Sequence, residues 1–291
     1  RLDADWFLGG GMKLDAERTR IHVDRAKGPL PEIESFAEGI IRLADSHMER
    51  ALRHISVERG YDPRDFTLVS FGGAGPLHAC ALAQLLKIPR VLIPPMPGAL
   101  SAYGILVSDI VRDYSRTVML RPGDPSLDCH FKKLEEIGSA QMRKEGFDGA
   151  AIRTLDLRYA GQGFELTVDW SESFIEEFHR THEARYGYCD RRRAIEIVNV
   201  RVRLVAATEP LAPEYLLPGD GNPQRAVIGR KPMYYRGEWL TGNVYDRTHF
   251  AAGDTFEGPA VVAEYSATTF LPPECRASVD GLANLIVTIG S

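Results

Sequence analysis

Phe66-Thr67-Leu68-Val69-Ser70-Phe71-Gly72-Gly73-Ala74-Gly75-Pro76-Leu77-His78 runs from an uncharged apolar segment through three glycines into an apolar helix pattern. Phe66 to Phe71 has the composition of a strand covered on both faces. Gly72, Gly73 and Gly75 permit positive φ and let a ligand approach the backbone closely. Pro76 suits the first helical position, and Leu77, Leu82, Leu85 and Leu86 give the helix an apolar face. Arg90 to Ile93 is a second apolar strand, so the unit reads as β-turn-α-β with parallel strands. A turn of this kind at a helix N-terminus suits a phosphate or a nucleotide sugar. It is not a P-loop, since no Lys-Ser or Lys-Thr follows, nor a G-x-G-x-x-G fingerprint, since His78 stands where the third glycine belongs. Spacing alone leaves tight helix-strand packing and nucleotide binding evenly matched.

Outward from this unit, 291 residues suit two domains, and 44% apolar with 26% charged residues is an ordinary globular composition. A net charge of -5 argues against nucleic acid as the main partner. No apolar run reaches membrane length and no signal-peptide pattern opens the chain. Cys80, Cys129, Cys189 and Cys275 are too scattered for a zinc pair, and so few thiols point to a reducing compartment, the cytoplasm. The opening Arg1-Leu2-Asp3-Ala4-Asp5-Trp6-Phe7 has mid-domain character, so a fragment or a processed chain is expected.

Before the glycines, Asp15 is a plausible N-cap for a helix through about Arg25. Ile33, Phe36, Ile40, Ala44, Met48, Leu52 and Ile55 then repeat at helical spacing, with Gly60 ending that element. After the second strand, Pro94-Pro95-Met96-Pro97-Gly98 fixes a rigid loop, and Gly98 and Ser101 are secondary site candidates at a strand carboxyl end. Plain turn chemistry explains both slightly better.

The character changes near Val111, with an expected strand through Leu120 and a helix from about Leu127 to Lys144. Phe131, Leu134, Ile137 and Met142 are that helix's apolar positions. Leu155 to Val168 reads as a hairpin turning at Gly161-Gln162-Gly163, a helix follows to Arg185, and Ala194 to Ala206 reads as a strand. A Pro/Gly-rich crossing, 210–223, leads to short strands.

His179 and His182 share a helix at i, i+3, but without a third ligand a solvated face explains them better than a metal. Gln162 at a hairpin tip is a candidate substrate or interface contact. Glu264-Tyr265-Ser266-Ala267-Thr268-Thr269 reads as an edge strand first and a site wall second. No G-x-S-x-G elbow or activated cysteine supports covalent catalysis, and no catalytic residue is identified.

Several stretches together resemble the hydantoinase A / 5-oxoprolinase family, whose relatives include ATP-dependent ketone carboxylase subunits. They include Phe7-Leu8-Gly9-Gly10, Ser56-Val57-Glu58-Arg59-Gly60 and the segment Phe71 to Ala79. Arg158-Tyr159-Ala160-Gly161-Gln162, His182-Glu183-Ala184-Arg185-Tyr186-Gly187-Tyr188 and Gly258-Pro259-Ala260 follow in order, so the likeness spans the chain. The resemblance implies an α/β fold: part of an actin/sugar-kinase-like ATPase domain over residues 1–115, then a β-rich α+β domain over 116–291. It makes Gly72, Gly73, Ala74 and Gly75 the adenosine-side, cofactor-binding loop. It implies ATP with Mg²⁺, a small cyclic amide or imide substrate opened through carbonyl phosphorylation, a hydantoinase B-type partner subunit and an oligomer. The alternatives are an acetone- or acetophenone-type carboxylase subunit and a non-catalytic assembly subunit. Such ATPases carry two Asp-Gly-Gly-Thr-like phosphate loops, and none occurs here. Those loops and the Mg²⁺-handling aspartates are expected upstream of Arg1, leaving this chain alone without ATPase activity.

Overall fold

The computed structural model describes residues 3–209 and 211–290. Arg1 and Leu2, which head the opening stretch, Pro210, which opens the expected crossing, and Ser291 lie outside the described residues. The fold is mixed α/β, in two compact units that do not follow chain order: residues 1–106 with 212–291, and residues 107–211.

The first unit opens with α1 (Ala16–Ala26), capped as expected by Asp15, whose carboxylate accepts the Arg18 N–H at 2.8 Å. Helix α2 (Ile33–Ile55) follows, but its apolar repeat is only partly used. Ile40 and Ile55 are exposed, Leu52 packs on the core, and the one residue it fully buries is Asp45. β1 (Thr67–Val69), α3 (Gly75–Leu86) and β2 (Arg90–Ile93) form the expected unit, with β1 and β2 parallel from Thr67↔Arg90 to Val69↔Leu92. The segment expected to be covered on both faces is not: Phe66, Val69 and Phe71 are half exposed, and β1 is an edge strand paired with β2 alone. Leu82 and Leu86 of α3 are buried, while Leu85 points outward. Helix α4 (Leu100–Val107) ends the segment.

The second unit contains β3 (Ile110–Leu120), α5 (Leu127–Lys144), β4 (Ala150–Tyr159), β5 (Leu166–Asp169), α6 (Phe174–Tyr186) and β6 (Ile195–Ala206). Its strands form an antiparallel sheet in the order β3-β6-β4-β5, and the expected hairpin pairs Leu155 with Val168 and Leu157 with Leu166. Phe131, Leu134 and Met142 of α5 and Phe178 of α6 pack with Leu155, Tyr159 and Val200 in its core. Ile137 is exposed, and Gly138 takes the inward position.

The chain then returns to the first unit as β7 (Val227–Tyr235), β8 (Glu238–Asp246), β9 (Thr255–Glu257), β10 (Ala260–Ala263), β11 (Thr268–Leu271), β12 (Arg276–Val279) and β13 (Leu285–Thr288). A four-stranded sheet runs β11-β10-β8-β7, and a five-stranded sheet runs β1-β2-β13-β12-β9. β13 pairs antiparallel with β2 from Leu285↔Ile93 to Thr288↔Arg90. That pairing explains why the division into 1–115 and 116–291 does not match the compact units: the last strand completes the sheet of the glycine turn. The 115/116 boundary also falls inside β3.

Candidate functional site

The site is built where β1 ends. Ser70 is buried, its N–H donates to Leu92 O at 2.9 Å, and the chain then leaves the sheet. Gly72 takes φ +86°, a region costly for residues with a Cβ, and donates its N–H to Pro97 O at 2.7 Å. The N–H groups of Gly73, Ala74 and Gly75 have no partner among the described residues. Helix α3 starts at Gly75 with no side-chain cap, so these donors stand at the positive end of its dipole.

Two further loops close on this turn. Met96 takes φ +47° in the proline-rich loop after β2, and Gly98 donates its N–H to Ser266 Oγ at 3.3 Å. A Cβ on Gly98 would overlap the Ser266 carbonyl, and one on Gly73 would lie 3.4 Å from the same oxygen. Gly98 is therefore set by close packing against the β10–β11 turn, beyond ordinary turn chemistry. Ser101 is exposed in α4 and takes no part.

Behind the loops lies a buried ion pair. Arg247 Nη1 donates to Glu264 Oε1 at 2.7 Å, and Nη2 donates to Ile93 O at 2.8 Å and Ala283 O at 3.0 Å. Burial pushes the Glu264 carboxyl up and the Arg247 guanidinium down, while their mutual attraction opposes both shifts. Through the Nη2 bond to Ile93 O, the pair ties the end of β2 to the β10–β11 turn that packs against Gly98. Arg247 carried no sequence signal, since nothing local distinguishes a buried arginine from a surface one. Glu264 and Ser266 were visible only as members of a polar run. That run divides: Thr268–Leu271 is the edge strand β11, whereas Glu264 and Ser266 hold the site.

The other candidates sit in the second unit. His179 and His182 are buried rather than solvated. Tyr159 Oη and His179 Nδ1 are 2.6 Å apart, and burial lowers the His179 pKa. His182 Nδ1 bonds Tyr188 O at 2.8 Å, and its Nε2 meets Gln162 Nε2 at 3.3 Å. Gln162 also accepts the Tyr159 N–H, so its amide ties the hairpin turn to α6. Among the described residues, no group of three or more His, Cys, Asp or Glu side chains is placed to hold a metal, and no helix is long and apolar enough to cross a membrane.

A model of the hydantoinase/oxoprolinase family matches residues 1–114, and a model of that family's C-terminal domain matches residues 124–285. The chain belongs to the hydantoinase/oxoprolinase family. It is 30% identical to the caprolactamase subunit alpha of Pseudomonas jessenii, over 98% of this chain and 44% of that one. It is 28% identical to 5-oxoprolinase 1 of Arabidopsis thaliana, over 88% of this chain and 21% of that protein. The fold is also that of a nucleotide-free acetone carboxylase structure, with a TM-score of 0.89 at 22% identity, over 98% of this chain and 44% of that one. The chain thus spans less than half the length of these hydantoinase/oxoprolinase relatives.

Proposed function

We propose that this chain supplies the adenosine-side part of the nucleotide pocket in an ATP-dependent cyclic amide or imide hydrolase of the hydantoinase/oxoprolinase type. The observation that carries this reading is the run of unpartnered N–H groups at Gly73, Ala74 and Gly75, held at the α3 N-terminus by the Gly98 and Ser266 contacts. Such donors fit a nucleotide, whose ribose and phosphate oxygens can accept hydrogen bonds from them. Bound ATP supplies the driving chemistry of this reaction class, phosphoryl transfer to a carbonyl oxygen so that water can open a resonance-stabilised amide. The residues around the turn do not fit Mg²⁺: among the described residues no carboxylate bonds Gly72 to Gly75, and Glu264 behind the loops is committed to Arg247. Mg²⁺ ligands and the phosphate loops belong to other parts of the full-length protein, and this chain alone has no ATPase activity. A partner of the hydantoinase B type accords with the name of the caprolactamase relative, a subunit alpha.

Gly73→Val tests the pocket. The added side chain blocks backbone approach, and nucleotide affinity in the full-length protein is expected to fall by about tenfold or more. Unchanged affinity in a folded variant contradicts the assignment. Substrate profiling with the partner present separates the ketone carboxylase reading: ATP turnover that requires a ketone and bicarbonate would replace hydrolysis of a cyclic amide.

A further inference from the structure

A groove of about 740 Å³ runs between α2, α3 and the β7–β8 turn, lined by residues that take no part in the glycine turn. Most of its charges are already engaged. Glu49 accepts from Arg53 Nε at 2.7 Å, Glu38 accepts the Arg236 N–H at 2.6 Å, and Arg236 Nη2 donates to Gln84 Oε1 at 3.1 Å. Glu38 and Arg236 keep their charges but are held in these contacts to a backbone N–H and a neutral amide, whereas Arg42 and Asp45, of opposite sign, keep unused hydrogen-bonding atoms. Asp45 has a side chain only 6% exposed, with Oδ1 placed 2.7 Å from His78 Nδ1. Its second carboxylate oxygen has no partner among the described residues. Arg42, three residues earlier on the same helix, lines the groove and likewise has no ion-pair partner among the described residues. Asp45 is turned to His78, so the two do not neutralise each other. Ala81 and the half-exposed Leu85, on α3, supply apolar lining to the same groove.

A ligand that satisfies both groups carries an anionic end, a cationic end and an aliphatic stem. Opening a cyclic amide produces such a molecule. The ring C–N bond breaks, the water oxygen joins the carbonyl carbon to give a carboxylate, and the nitrogen takes up protons to give an ammonium. A closed simple lactam such as caprolactam has neither charge. We propose that this groove binds the ring-opened amino acid, with its carboxylate on Arg42 and its ammonium on Asp45; the choice of ligand rests on the hydrolase reading above. Arg42 offers a fork of N–H donors matched to a carboxylate, and a nearly buried carboxylate such as Asp45 gains most from a cationic partner. His78 lies in the first turn of α3, so the occupant bears on the helix that carries the glycine turn.

Calorimetric titration of the 291-residue chain tests this with 6-aminohexanoate, hexanoate, hexylamine and caprolactam. The zwitterion is expected to bind at least about tenfold more tightly than either singly charged analogue, as two charge-assisted contacts exceed one. Caprolactam is expected to give no saturable heat. Arg42→Ala alters an exposed side chain, leaves the helical spectrum intact, and is expected to remove about tenfold of the zwitterion's affinity. Absence of zwitterion binding at millimolar concentration, equal binding of caprolactam, or an unaffected Arg42→Ala variant overturns the proposal. Titration of ATP into the same preparation reports separately on the glycine turn, so the two readings fail independently.

Discussion

Asp156 shows how one residue can carry a charge in a nearly inaccessible place. It is 1% exposed, and burial alone raises a carboxyl pKa. Thr167 Oγ1 at 2.6 Å, Asn199 Nδ2 at 2.8 Å and Arg201 Nε at 2.6 Å outweigh that burial and hold the pKa below its ordinary value. The folded value lies below the unfolded one, so the stabilisation is present above the unfolded pKa and is lost as pH falls through the folded value. Stability of the second unit is therefore expected to decline as the pH drops below about 4. Urea unfolding at stepped pH checks this, and Asp156→Asn should weaken that acid dependence while lowering neutral-pH stability by about 1–3 kcal/mol. Stability that rises on acidification would contradict it. The hairpin strand that carries Asp156 was legible in sequence, since Asp156 and Arg158 alternate with Leu155 and Leu157. The choice of partners was not: Arg158 bonds Glu196, and Asp156 turns to residues more than ten positions away.

At the scale of the element, α5 separates what periodicity reports from what packing requires. The apolar spacing finds Phe131, Leu134 and Met142, all buried. It also marks Ile137, which is 58% exposed, and passes over Gly138, which is buried. A Cβ on Gly138 would stand 2.5 Å from Leu204 Cδ1 and 2.6 Å from the Tyr114 ring. A glycine has no hydrophobic signal, so its role as the point of closest approach was invisible until β6 and β3 were in place. Gly138→Ala gains up to about 1 kcal/mol of helix propensity but overpacks a filled site, so net destabilisation of about 1–2 kcal/mol is expected. Ile137→Lys, one residue away, is expected to stay within about 0.5 kcal/mol. Denaturant midpoints of the two variants give the comparison, and a stabilised Gly138→Ala would mean that the helix sits farther from the sheet. The same limit governs α2 and β1, whose apolar positions were legible but whose degree of cover was not.

For the whole molecule, the β-turn-α-β unit and the family were legible because both rest on contiguous residues. The discontinuous unit was not, since the pairing of β13 with β2 joins residues nearly two hundred positions apart. That topology makes a prediction about fragments. Residues 107–211 have their own sheet and their own core, so this fragment is expected to fold cooperatively when expressed alone. Residues 1–115 lack β13, which pairs with β2, and β12 beyond it, and are expected to remain unfolded. Circular dichroism with urea melts distinguishes the two, and a cooperatively folded 1–115 fragment would contradict the role given to the C-terminal strands.

The glycine turn as a nucleotide-binding element is tested most directly by amide nuclear magnetic resonance of the ¹⁵N-labelled chain during titration with ATP. The account predicts saturable shifts centred on Gly73, Ala74 and Gly75 and extending to Gly98 and Ser266, the residues packed against the turn. Shifts confined to other surfaces, or none at all, would contradict it.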